Sequence, residues 1–245
     1  MSNDVVNWKE KMAARVQQVQ GDETPAMSNL SLASGIMQIG DMAVPNNKME
    51  VVILAIGTER TWYDRPYDPD DKSPPNCYSQ KIGNDDPFNP TMIPADNVPE
   101  PPNEFCHGCY YSQMGTAISG KGPGCKTRRK LVVAPASIVG HPESLGKQLL
   151  LVSVPPTSGK ALSNYVMGLA SHGIPPEAAV TEIHYGPDKS TMFAMDFNPV
   201  SNIEDDATLA AIFSRQEEFN KLIIQPYNYD AGEEPTPTGN KKRKH

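Results

Sequence analysis

The 245-residue chain carries 22 Lys and Arg against 29 Asp and Glu, a formal net charge of -7, and is 38% hydrophobic. That apolar fraction suffices for one sizeable core, and the length allows one large domain or two small ones. The longest apolar runs, 51–56 and 149–154, are too short to cross a bilayer, the polar start lacks an export signal, and the negative charge argues against blanket adhesion to nucleic acid. These features predict a soluble, cytoplasmic protein with no membrane role.

In chain order, Trp8, Met12, Val16 and Val19 stand at three- to four-residue spacing and predict an amphipathic helix over 3–20, capped by Asn3 or Asp4, within an N-terminal arm at 1–27. Two strand-like runs, LSLASGIMQIG (30–40) and MEVVILAIGTERTWY (49–63), flank the turn-rich DMAVPNNK and predict an early hairpin. Between Asp64 and Asn103 fall ten of the 24 prolines, many Asp and Asn, and almost no aliphatic periodicity. Such a stretch excludes a sheet core and predicts an insertion, at about 64–127, held by something other than apolar packing.

Strand patterns resume with LVVAPAS (131–137) and QLLLVSVPP (148–156). Thr157 or Ser158 caps a helix burying Leu162, Tyr165, Val166 and Leu169, which Gly173, Pro175 and Pro176 end. The runs AVTEIHYG (179–186) and TMFAMDFNPV (191–200), joined by PDKS, predict a second hairpin. A last helix is expected over 205–224, with Leu209, Ile212, Phe213 and Phe219 inward. The domain thus spans 28–229, and 230–245, acidic first and then basic, reads as a disordered tail.

The four cysteines fall as C-x28-C-x2-C-x15-C at Cys77, Cys106, Cys109 and Cys125. In a reducing compartment such clustering points to metal, and four thiolates at about 2.3 Å form a closed tetrahedral zinc site. Gly108 within the knuckle, and Gly120, Gly122 and Gly124 before the last cysteine, permit the bends that this needs. A closed shell leaves no place for water, so one structural zinc per chain is expected, stapling the insertion to the sheet. Four unrelated cysteines, or an iron–sulfur cluster, remain open at this point. His107, wedged inside the knuckle, is expected outside the ligand shell.

Lys121, Lys126, Arg128, Arg129 and Lys130 surround the last cysteine. Pinned there they form a local cationic patch of the kind that binds phosphate backbones; a solvated basic turn is the plainer reading. Trp62, Tyr63, Tyr67 and Tyr78 lie near the first cysteine, and Phe105, Tyr110 and Tyr111 near the knuckle. Exposed rings beside a basic groove hold single strands by stacking; equally, the rings are a core for the insertion itself. Trp62 and Tyr63 alternate faces, so at most one of them is buried by the sheet.

No motif assembles a catalytic constellation. The acidic run Asp68, Asp70, Asp71 lacks the Gly and closing Glu of a calcium loop, KGPGCKT lacks P-loop spacing, and His141, His172 and His184 are scattered. A non-enzyme is expected.

The order hairpin, Cys-bearing insertion, two strands, helix, two strands and helix predicts a mainly β protein with flanking helices (α+β), an OB-like five-stranded barrel interrupted by a four-cysteine, zinc-ribbon-like insertion. With the blocks MEVVILAIGTERTWYDRPYDP, PPNCYS, CHGCYYSQMGTAISGKGPGCKTRRKL and PPTSGKALSNYVMGL, it resembles metal-bearing OB-fold single-stranded DNA-binding proteins: the helix-destabilising proteins of tailed bacteriophages and the zinc-containing domain of replication protein A. The likeness spans roughly 28–200 in architecture, and residue by residue only the C-x2-C and the later cysteine, with a longer first gap. It implies single-stranded DNA as ligand, replication proteins as partners and a phage replication or recombination setting in the host cytoplasm. The acidic partner-recruiting tail of those phage proteins is not carried over, because this chain ends KKRKH. Two other readings stand beside it: a zinc-ribbon adaptor for a polymerase or host factor, and an iron–sulfur nuclease accessory protein.

Overall fold

The computed structural model describes residues 27–33, 35–66, 68, 73–85 and 90–229. The helix expected over 3–20, Tyr67 and the tail expected over 230–245 lie outside them. Among the described residues nine strands are present: β1 (Ser28–Ala33), β2 (Ile36–Ile39), β3 (Met42–Ala43), β4 (Lys48–Trp62), β5 (Cys77–Ile82), β6 (Lys126–Pro135), β7 (Leu150–Val154), β8 (Ala179–Asp188) and β9 (Met192–Asn202). The α-helices are α1 (Gly159–Ser171), α2 (Asp206–Ser214) and α3 (Gln216–Ile223). Among the described residues no helix is long and apolar enough to cross a membrane.

The strands form one curled half-barrel sheet in the order β3-β2-β1-β7-β6-β4-β8-β9, with β5 added beside β4. The architecture is mainly β and compatible with an OB-like fold, but the described strands number nine where the sequence predicts five. All pairs are antiparallel except β1 with β7. At the β1–β2 turn, a side chain on Gly35 would strike the Phe193 ring of β9, so the curl brings opposite ends of the sheet together.

Helices cover both faces of the central strands, which explains why β4 and β6 read as continuous apolar runs and not as alternating ones. On one face Val51, Ile53, Leu131 and Val133 pack with Leu162, Tyr165 and Leu169 of α1 and with Met195 and Phe197. On the other, Val52, Leu54, Val132 and Ala134 pack with Ile212 of α2 and with Phe219 and Ile223 of α3. A bulge between Ile53 and Ala55 resets the alternation of β4 against β6. Beyond it, Gly57 lets α3 close on the sheet: an added Cβ would stand 2.2 Å from Ile223 and 2.9 Å from the Lys81 carbonyl oxygen.

The early hairpin forms otherwise than the sequence suggests. Gly35, at φ +79°, turns the chain within the first run, so β1 pairs with β2. β4, apolar on both sides, takes the sheet centre between β6 and β8. The second hairpin forms as expected, β8 against β9, and α1 buries Leu162, Tyr165 and Leu169 before Gly173 turns the chain at φ +70°.

The expected last helix is two. Asp205 caps α2, its carboxylate accepting from the Thr208 backbone N–H at 2.7 Å. The chain breaks at Arg215, which donates to Glu218 (2.7 and 2.8 Å) and to the Leu145 carbonyl. The break resets the helical phase: Phe219 and Ile223 face the sheet, and Phe213, expected inward, is exposed.

Candidate metal centre and nucleic-acid interface

The distal half of β4 runs past the core between β5 and β6, with Gly57 to Trp62 facing Ile82 to Cys77. This strand β5 lies inside the Pro-rich insertion, where composition excluded a sheet. It is recruited because β4 offers an open edge beyond the end of β8, and it buries Cys77, Tyr78 and Ser79 there.

On one face of this extension Trp62 stands opposite Cys77, and Phe105, Cys106, Cys109, Tyr111 and Ser112 line one cavity with the pair. The Trp62 and Tyr111 rings stack with centroids 3.8 Å apart. The Cys106 N–H donates to the Met92 carbonyl at 3.0 Å and the Cys125 N–H to the Tyr111 carbonyl at 2.7 Å. Gly108 takes φ +76° inside the knuckle. Gly124 is required by crowding, since a Cβ there would lie 3.0 Å from the Thr116 carbonyl oxygen.

The outcome is that Cys77, Cys106, Cys109 and Cys125 line one cavity of about 20 Å³, walled by Trp62, Phe105, Tyr111, Pro94 and Pro102. All four are free thiols. Burial, reinforced by the neighbouring sulfurs, pushes the Cys77 thiol up to about 12. Burial also raises Cys106 and Cys125, opposed by the Ser79 hydroxyl at Cys106 and by the Arg60 guanidinium at both.

Among the described residues no group of three or more His, Cys, Asp or Glu side chains is placed so as to hold a metal ion. In chemistry the donor set suits a soft divalent ion, since four sulfurs line one small cavity. His107 is exposed, outside the sulfur set as expected.

The five expected cations divide. Lys126 and Arg128 are exposed on the face of the sheet opposite the thiols. They line a cleft of about 630 Å³ with Thr61, Tyr63, Arg65 and the 116–119 loop. The Arg65 guanidinium lies 5.5 Å from the Tyr63 ring centre. Lys121 is exposed in the loop between the knuckle and β6.

The other two do not join them. Strand alternation sends Arg129 to the thiol face, half-buried and hydrogen-bonded to Asn84. Lys130 is buried, its Nζ 2.6 Å from Glu59 Oε1, with side-chain exposures of 9% and 4%. Gln80 and Tyr227 donate to the same carboxylate oxygen at 2.9 and 3.4 Å. Lys130 is therefore neutralised inside the fold and offers nothing to a phosphate.

The rings divide as well. Tyr78, only 3% exposed, packs edge-on to Tyr227 and near Tyr229, and hydrogen-bonds Asn97. It belongs to a small core of the insertion and is removed from any stacking surface. Trp62 is half-buried against Tyr111, Tyr63 is exposed as alternation requires, and Tyr110 is 64% exposed.

Arg60 and Arg65 escaped the sequence reading, although the parity of β4 puts Arg60 on the face of Trp62. The C-terminal strap escaped too. Tyr227 and Tyr229 fasten 224–229 across the insertion, the Tyr227 carbonyl accepting from Asn97 at 2.7 Å and the Tyr229 hydroxyl donating to the Pro75 carbonyl at 2.7 Å. With this geometry in view, comparison with protein-family models, with curated proteins and with solved structures returns no match for the chain.

Proposed function

We propose that the protein is a non-catalytic binder of single-stranded DNA, an OB-like sheet extended by an insertion that a structural zinc ion braces. The observation that carries the reading is the cleft, which gathers Tyr63, Arg65, Lys126 and Arg128 on the strand ends that the thiol cavity backs from the other face. Cations engage phosphates without reading sequence, and an exposed ring gives a base its stacking platform. Cys77, Cys106, Cys109 and Cys125 would hold the zinc, and a cavity of about 20 Å³ suits a single ion better than an iron–sulfur cluster. When bound, the ion ties the Cys106–Cys109 knuckle to the start of β5 and to the residue before β6, which fixes the cleft's walls. A phage replication or recombination module in the host cytoplasm is the setting this reading takes.

The test pairs metal analysis of the full chain, purified without added metal, with a salt titration of oligo-dT binding. One zinc per chain, a colourless preparation and a steep salt dependence are expected. Equal affinity for duplex and single strand overturns the DNA reading.

One observation favours an adaptor that docks a polymerase or host factor. Phe105, Tyr110, Met114 and Ile118 are exposed around the knuckle, the apolar side chains that a protein interface uses. Oligo-dT binding that is absent beside a stoichiometric complex with a replication polymerase would select that reading.

A further inference from the structure

A cation stands behind the thiol cavity, hydrogen-bonded to Ser112 of its wall. Arg60 leaves β4 two residues before Trp62, on the face that carries Cys77. Its Nη2 donates to the Ser112 hydroxyl at 2.8 Å, and that hydroxyl donates to the Cys106 carbonyl at 3.0 Å. Its charge is felt at the Cys125 thiol, which it favours in the ionised form. Its Nε–H is buried without an acceptor. Asp85, the carboxylate close enough to feel this charge, is engaged by Lys81 Nζ and by the Thr91 N–H, each at 3.0 Å. Among the described residues no carboxylate forms an ion pair with Arg60.

A half-buried guanidinium beside neutral thiols is poorly compensated at its Nε–H, whereas four thiolates around a divalent ion carry a net charge of about -2 that a neighbouring cation offsets. Resting on the metal reading above, we infer that Arg60 is the charge-neutralising and positioning residue of the centre, favouring a dianionic tetrathiolate complex and tying the knuckle to β4 through Ser112. Arg60 touches the Ser112 hydroxyl that holds the Cys106 carbonyl, so its action on metal affinity runs through the ligands.

The experiment measures zinc affinity of the full chain by chelator competition, the cobalt(II) absorption spectrum, and thermal midpoints with and without zinc, for wild type, Arg60→Met and Arg60→Lys. Arg60→Met is expected to weaken zinc binding about ten- to a hundredfold. It should keep the four-sulfur cobalt bands at shifted energy and leave the metal-free midpoint unchanged or higher. Arg60→Lys should recover most of the affinity. Wild-type affinity in Arg60→Met, or a loss confined to the metal-free midpoint, overturns the inference alone. A wild-type chain that takes up neither ion overturns the metal reading and this inference together.

Discussion

The division of the basic cluster can be measured. Replacing Lys126 and Arg128 by Gln removes two cations that line the cleft. Each phosphate neutralised on a single strand contributes about 0.7 to the slope of log Kobs against log salt, so the double variant should lower that slope by about 1.4. Between about 50 and about 200 mM salt, the change amounts to roughly a sevenfold smaller loss of affinity than wild type shows.

Lys130→Met should leave the slope alone and strike stability, because Glu59 then remains 4% exposed with no cation at 2.6 Å. Breaking a buried pair on one side costs about 3–5 kcal/mol, a fall in melting midpoint on the order of 10 °C for a domain of this size. Removing both charges, Glu59→Leu with Lys130→Met, should restore most of the loss. The assays are oligo-dT titration by fluorescence anisotropy at several salt concentrations, and thermal unfolding. A slope that Lys130→Met flattens as much as the cleft variant, or that the cleft variant leaves intact, refutes this division of the basic cluster.

Three further outcomes follow from the same geometry. Tyr63→Ala should weaken oligo-dT binding by about 1–3 kcal/mol without a stability change, since its ring is exposed in the cleft. Tyr78→Ala should do the reverse, lowering the melting midpoint through lost packing while the folded fraction keeps its affinity. Gly57→Ala should cost about 1–3 kcal/mol in denaturant unfolding, because the new methyl meets Ile223 and the Lys81 carbonyl.

Alkaline pH should release the strap. Burial first, then the Glu59 charge, raises the Tyr227 hydroxyl, and burial followed by Tyr78 pushes Tyr229 up to about 12. Folded phenols that hold their protons longer than unfolded ones contribute stability below about pH 10, and it is lost as pH climbs toward 12. Tyrosinate absorbance in wild type should show a late-titrating fraction that is smaller in a Tyr227→Phe, Tyr229→Phe variant.

How much of this was legible depended on whether the signal was local. The α1 stripe and the β8–β9 hairpin were readable because their spacing and their turn lie within a few residues. The partners of β4 were not, because a run apolar on both faces says only that both are covered. It leaves open which strands pair along its two edges, where β6 and β8 stand in place of the first run. The break at Arg215 had no proline or glycine to announce it, and it is held by contacts to Glu218 and Leu145.

At the site, residue chemistry was legible and its sidedness was not. Five cations in ten residues (121–130) look like one patch, yet the pleat sends neighbours to opposite faces and Glu59 on the adjacent strand claims Lys130. Register supplies the missing term: once Thr61 is opposite Lys126 and Trp62 opposite Cys77, ligand-facing and sulfur-facing residues on β4 must alternate. A one-residue slip of β6 would turn Lys126 and Arg128 toward the thiols and bring Thr127 and Arg129 round to the cleft. The bulge between Ile53 and Ala55, which shifts that register, is therefore as much a determinant of the cationic cleft as the lysines and arginines themselves.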